Sequence, residues 1–518
     1  MIRNSETHPL RIDSFSLWNG KVGLTLCPGK RQAVSTTGSW DRDLNSDLST
    51  IEDWSADSVL SLLEGHEMDY LHVPELPEKM PEVCLNWLHM PIVDQMAPEA
   101  AFMKRWRYVR LVLAHQLMQG KQVLLHCMGG LGRAGTVAAI LCIDAGMPAW
   151  DAIRAVRAAR SQSAIETREQ EAFLESYTPE FLLTPENVRS ALTLWAGAAG
   201  DALGYPVEFE DSEWIYRHYG SQGIHPANFT GRPRISDDTQ MSLYALAGLA
   251  DHGARANIST LRKAWLHWYE GQTSLIPTAT SPALQRLQID RVVNQSRAPG
   301  NTCINSLRNG AQGSVKNRKN QSKGTGAVMR IAPIAFLNHL DEQEKVVLAM
   351  ESAALTHGHD YGIGVTALFT ALLSRQIHGK GEQGVMAVLH DYPELRALLP
   401  EIPVFINPMS TEPPKGEGWV AEEALEFALY YASMPNSIPL SDVMAMSASH
   451  GGDSDTTASL TAQLAATSHP YDSSLVSFIL QLDAYDALAD TLAAFFRQKH
   501  GGTLYVPQPS NNATQSRR

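Results

Sequence analysis

Two acidic turns, far apart in the chain, constrain its fold more than any other feature. Ser236-Asp237-Asp238-Thr239 and Asp453-Ser454-Asp455-Thr456 each set two carboxylates and hydroxyls ahead of a small-residue segment that reads as a helix. Such a set offers only oxygen ligands, which favour a hard cation such as Mg2+ over zinc, whose preferred ligands are Cys and His. Taken alone, either turn reads at least as well as an Asp cap on an ordinary helix. A binuclear metal site, however, draws its ligands from separated segments, and here are two similar clusters. If they share a site, the chain between them must fold so that two helix starts face one another.

The second part of the chain has the composition for that. From Val188 onward strand alternation is scarce, and Ala- and Leu-rich stretches recur at 239–250, 342–356, 364–377, 421–432 and 455–466. The pattern predicts an all-α domain. Residues 294–326, rich in Asn, Gly, Lys and Arg, read as a surface loop. Its end, Gly324-Thr325-Gly326, has the flexibility to wrap a pyrophosphate with backbone N–H groups.

Residues 1–178 instead alternate strands and helices, which predicts an α/β domain with a central sheet flanked by helices. A strand-like run covers 17–26, and 46–64 reads as helical. The helix over 98–120 is the clearest, with Pro98 in its first turn, Gly120 at its end, and Phe102, Trp106, Val109, Leu113 and Leu117 on one face. A short strand at 122–125 runs into the loop His126-Cys127-Met128-Gly129-Gly130-Leu131-Gly132-Arg133, and a helix follows. Backbone N–H groups of a Gly-rich turn and a helix N-terminus both stabilise a thiolate at Cys127, and the same ring of residues 128–133 fits a phosphate. Arg133 can clamp two phosphoryl oxygens through its planar fork. The loop therefore reads as a phosphate cradle with a nucleophile at its base.

Motifs in both halves resemble known families. GAAGDALGYPVEF (197–209), SDDTQM (236–241), PGNTC (299–303), SKGTGAVMR (322–330), THGH (356–359), GEGWVAEEAL (416–425) and GGDSDTT (451–457) occur in order, and the residues from about 191 to 501 resemble the ADP-ribosylglycohydrolase family. The resemblance implies an α-helical fold and two Mg2+ ions, with Mn2+ as a substitute. It implies Ser236, Asp237, Asp238, Asp453, Asp455 and Thr456 as metal ligands, Glu208 as the group that activates water, and Asp201, Gly324, Thr325, Gly326 and His357 as residues of the ADP-ribose pocket. LTLCPGK (24–30), MPIVDQ (90–95) and the HC-x-GGLGR loop are similar to cysteine-dependent phosphatases, most of all the cyclin-dependent-kinase-associated dual-specificity group. That similarity implies a cysteinyl-phosphate on Cys127 and a general acid at Asp94. It also exposes a departure: Ala134 stands where the family has Ser or Thr, whose hydroxyl assists breakdown of the thiol-phosphate, and Thr136 lies two residues beyond.

Length and composition bound the rest. At 518 residues two or more domains are expected, placed at 1–180 and 186–505 with a flexible tail at 506–518. A formal charge of −13 argues against nucleic acid as the partner. Five widely spaced cysteines fit a reducing compartment, and the absence of an apolar leader or membrane-length run makes a cytoplasmic chain the expectation. The combined expectation is a bifunctional hydrolase acting on an ADP-ribosylated protein or small molecule and on a phosphorylated substrate. The alternatives are a first domain that only binds phospho-ligands, and a hydrolase of immunity type that neutralises an ADP-ribosylating toxin.

Overall fold

The computed structural model describes residues 2–35, 38–273, 276–381, 383–402 and 412–498. The chain divides into two compact units, one built from Met1–Pro185 and one from Glu186–Gln498. The tail expected at 506–518 lies outside the described residues.

In the first unit a five-stranded sheet runs in the order Asp13–Leu17, Gly20–Thr25, Gln122–His126, Ser58–Ser61, Asn86–His89. The first two strands are antiparallel and the others parallel. The expected single strand at 17–26 is therefore a hairpin, turned at Trp18, whose φ of 51° ends the first strand. The expected helical stretch at 46–64 is half helix and half strand. Leu44–Asp53 is helical, Ser55 takes a left-handed φ of 57°, and Ser58–Ser61 becomes an inner strand. A short apolar run buried on both faces carries no period that separates strand from helix, which is why this strand escaped notice. The long helix is Ala100–Met118, and its predicted face is buried against the sheet.

Residues 161–167 are loop, and the helix there starts only at Arg168, capped by Thr167. The apolar stretch 181–183 belongs to the first unit: Leu183 N–H donates to Asp144 O (2.9 Å), and the Arg110 guanidinium stands 4.6 Å from the Phe181 ring centre. Arg110 is itself paired with buried Asp144 at 2.7 Å. Catalytic groups in open parallel sheets gather beyond the C-terminal strand ends, and Cys127 follows the middle strand there.

The second unit is helical, and its described residues contain only isolated β-bridges. The stretch 294–326 is more ordered than expected, since Asn301–Arg308 forms a helix starting from Gly300. Pro185–Gly204 is buried along most of its length and lies against the start of Ser454–Ala465. Glycine permits that approach: a Cβ on Gly204 would come 2.2 Å from Ser454 O, and one on Gly200 2.3 Å from Ala458 O. The second acidic turn is thereby seated against the helix that carries Asp201. No helix among the described residues is long and apolar enough to cross a membrane.

Candidate active sites

The two acidic turns meet. Asp237, Asp238, Asp453, Asp455 and Thr456 line one cavity of about 320 Å³, together with Glu208, Gly324, Thr325, Gly326 and His357. The Ser236 hydroxyl lies close enough to the Asp455 carboxyl to favour its charged form, so the two turns are neighbours in space. Each turn is built locally. Ser236 caps Asp237–His252 by accepting from Asp238 N–H (3.2 Å), and Thr456 N–H donates to Asp455 Oδ1 (2.9 Å). Gly451 and Gly452, at φ of 91° and 99°, bring the chain into the second turn, and Asp453 N–H is then held by Glu417 O (2.7 Å). Only glycine tolerates such consecutive left-handed residues this close to neighbouring backbone.

Asp201 differs from its expected role. It is fully buried and does not line the cavity. Its carboxylate accepts from Ser236 N–H, Thr239 N–H and the Thr239 hydroxyl, so it holds the first turn from behind rather than meeting a sugar. The Thr325 hydroxyl is likewise committed, donating to Asp453 Oδ2 at 2.9 Å, so this residue has only backbone to offer a ligand. His357 is buried against Gly326, its Nδ1 within 2.8 Å of the Thr356 hydroxyl, and burial lowers it to about 3, a neutral ring.

The electrostatics are those of a site short of positive charge. Burial first, and then one another's charges, push Asp237, Asp238 and Asp455 well above the usual carboxylate range, and the same causes raise Glu208. Two buried oxygens, Glu208 Oε2 and Asp238 Oδ2, accept no hydrogen bond. Unpartnered buried carboxylate oxygens are costly, and divalent cations among them would remove that cost. The donor set, all oxygen, fits Mg2+ or Mn2+. Among the described residues no group of three or more Asp, Glu, His or Cys side chains is placed to hold a metal ion without further donors.

Sequence reasoning missed several residues of this cavity. Phe209 and Trp419 stack at 5.2 Å at its rim, with Phe209 at a φ of 77° and 70% exposed. Cys303 and Met329 form part of the wall. Behind it Arg330 is fully buried, 3.9 Å from the Trp265 ring centre and bonded to Thr356 Oγ1 at 2.7 Å. Phe209, an aromatic that closes the motif at 197–209, was the one signal available.

In the first unit the loop after Gln122–His126 closes as expected, and the helix Gly132–Asp144 follows it. Cys127 is 3% exposed. Its neighbour His126 is held neutral by burial, lowered to about 3, with Nε2 facing the Ser61 hydroxyl. Arg133 is buried and held by Glu67 through both guanidinium nitrogens, at 2.6 and 2.8 Å, and its Nη2 meets Asp94 at 2.8 Å. Glu67, which orients the fork, was not foreseen: it lies on a six-residue helix, Gly65–Tyr70, with no motif around it. Asp94 sits at the cradle mouth, half exposed. Its loop is pinned by Thr167 Oγ1 to Gln95 O (3.1 Å) and Gln170 Nε2 to Met96 O (3.2 Å). Ala134 offers no hydroxyl, and that of Thr136 is spent on Gly132 O (2.8 Å) within the helix. Thr136 therefore does not replace the missing group.

A family model described as ADP-ribosylglycohydrolase matches residues 185–501, and one described as Swiss Army Knife protein, DSP-PTPase phosphatase domain, matches residues 72–174. ADP-ribosylarginine hydrolase Tri1 of Pseudomonas putida (strain GB-1) is 26% identical over 293 residues, 55% of this chain and 71% of that protein. ADP-ribosyl-[dinitrogen reductase] glycohydrolase of Rhodospirillum rubrum is 24% identical over 299 residues, 55% of this chain and 87% of that protein. Protein tyrosine phosphatase type IVA 3 of Homo sapiens is 33% identical over 138 residues, 26% of this chain and 75% of that protein.

Proposed function

We propose, for a chain that belongs to the ADP-ribosylglycohydrolase family and carries a cysteine-dependent phosphatase-type domain ahead of that unit, that each half of this two-domain hydrolase has its own reaction. The second unit removes ADP-ribose from a modified protein or small molecule. The observation that carries this reading is the convergence of Asp237, Asp238, Asp453 and Asp455 on one cavity with oxygens left unpartnered. Ser236, Asp237, Asp238, Asp453, Asp455 and Thr456 would hold two Mg2+ ions, or Mn2+, which supply positive charge to grip the ribose hydroxyls and orient them.

Glu208, with a buried free oxygen at the same cavity, takes a proton from water as that water attacks the anomeric carbon. The bond from that carbon to the target's nitrogen or oxygen breaks with its electron pair going to the leaving atom, which takes the proton that Glu208 accepted, and positive charge builds on the ribose ring in the transition state as in other glycoside hydrolysis. Backbone N–H groups of 324–326 face the pyrophosphate, and neutral His357 packs beneath without repelling a cationic ring.

The test is chromatographic release of ADP-ribose from ADP-ribosyl-arginine and ADP-ribosyl-serine peptides. Glu208→Gln is expected to lower kcat by about 10²–10⁴ with little change in KM, the range for a lost general base. Wild-type rates in this variant would remove Glu208 from its role. No release from either peptide by the intact chain would count against the reading.

In the first unit Cys127 attacks phosphorus, Arg133 clamps two phosphoryl oxygens, and Asp94 gives its proton to the leaving oxygen. A second reading has a specific basis: with Ala134 in place of a hydroxyl and Thr136 turned into its helix, the thiol-phosphate lacks its usual assistance. The domain then holds phospho-ligands and turns over slowly or not at all.

A further inference from the structure

The phosphate cradle of the first unit faces an acid that its reaction does not use. Glu166 follows Ile165, whose left-handed φ of 61° turns the chain toward the loop. The Glu166 backbone is fixed by its N–H to Gln170 Oε1 (2.9 Å). Its side chain reaches back to the loop and lies against Gly132, whose backbone N–H favours the charged carboxylate. The approach is close: a Cβ on Gly132 would lie 2.4 Å from Glu166 Oε2. Gly132 is the first residue of a thirteen-residue helix, so its N–H is one of the free first-turn donors that the loop would offer an anion.

Asp94 already occupies Nη2 of Arg133 at 2.8 Å, and Glu67 occupies the other face of the fork. The donors at the mouth are thus met by the chain's own carboxylates. Burial, together with the charge of Asp94, raises the Glu166 carboxyl above its ordinary range, while the Gly132 N–H and Arg133 act in the opposite direction.

We propose that Glu166 is an internal competitor for the phosphate cradle and sets how weakly the site takes doubly charged oxyanions. The inference rests on the reading of residues 127–133 as that cradle. A bound dianion at the Gly132 end of the loop must stand beside the negative charge of Glu166. A singly charged phosphoryl group, such as a diester, meets about half that repulsion. Glu166 is therefore a specificity-determining residue: it disfavours dianionic monoesters relative to monoanionic phosphoryl groups. A helix cap of structural value alone would have no such effect on charge selection.

The experiment uses the full chain and sulfate, which stays a dianion near neutral pH, with dimethyl phosphate as the monoanion. Binding is read as protection of Cys127 from iodoacetamide, followed by mass spectrometry. Glu166→Gln keeps the shape and removes the charge, and Glu175→Gln, an exposed acid further along the same segment, controls for net charge. Glu166→Gln is expected to lower the sulfate Kd at least about tenfold and the dimethyl phosphate Kd by much less, with Glu175→Gln near wild type. Equal effects of the two variants, equal gains for both anions, or weaker sulfate binding in Glu166→Gln would overturn the proposal. If neither anion protects Cys127 in any of the three proteins, the cradle reading itself falls and this inference with it.

Discussion

Asp455→Asn is expected to abolish ADP-ribose release while raising the melting temperature of the chelated protein. Both effects come from one charge. After burial, the charge of Asp455 does most to push up Glu208, Asp237, Asp238 and Asp201, so in the absence of cations it is a source of repulsion in a buried cluster. Replacing it with a neutral amide of the same shape relieves that repulsion wherever the cluster is ionised, and each kcal/mol gained is worth about 1–2 °C in Tm for a unit of this size. The same substitution removes one of the carboxylates proposed to hold the cations. Loss of cation-assisted orientation should cost about a thousandfold in rate, some 4 kcal/mol of barrier. Differential scanning fluorimetry in EDTA and in Mg2+ reads the stability side. In Mg2+ the order should reverse, because only the wild type gains from the ion. A variant that melts lower in EDTA and still responds to Mg2+ would mean that Asp455 is an ordinary structural residue.

Cys127→Ser is expected to reduce p-nitrophenyl phosphate hydrolysis to background and to leave ADP-ribose release within about twofold, since it changes one atom of a separate site. The wild type itself should show a burst of one p-nitrophenol per chain followed by slow turnover. The reason is Ala134: the first step needs only Cys127, Arg133 and Asp94, while breakdown of the thiol-phosphate lacks a hydroxyl donor. Ala134→Ser should raise the steady rate by about ten- to a hundredfold, the value of one hydrogen bond to a charged group, without changing the burst. Rapid-quench kinetics separates the two. Steady turnover with no burst in the wild type would show that Ala134 is no handicap. Absence of even the burst would favour a domain that binds and does not react.

Much of both sites could be read from residue order because their chemistry is local. The cradle is a single strand-loop-helix segment, and each acidic turn is built within a few residues of a helix start. The clearest helix, Ala100–Met118, was legible because its apolar face repeats with the helical period over many turns. Groups that act across the fold left no such trace. Glu67 finds Arg133, and Glu166 comes against Gly132, only after the chain has folded, and no motif surrounds either acid in the sequence. Asp201 holds the first acidic turn through Ser236 and Thr239 N–H, and a carboxylate that orders a turn and one that meets a ligand look alike in sequence. The inner strand Ser58–Ser61 was lost to its neighbours' helical pattern. At Gly200 and Gly204 the space a side chain would need is filled by the backbone of the Asp455 helix, a contact that only the folded chain reveals.

The central claim is that Asp237 and Asp455, from turns distant in sequence, hold hard cations jointly. Isothermal titration of Mg2+ and of Mn2+ into the chelated full chain tests it most directly, with Asp237→Asn and Asp455→Asn alongside. The account predicts two saturable sites in the wild type, weakened or lost in both variants because each turn contributes to the same cluster. Wild-type heats in either variant, or no saturable binding of either ion to the wild type, would contradict it.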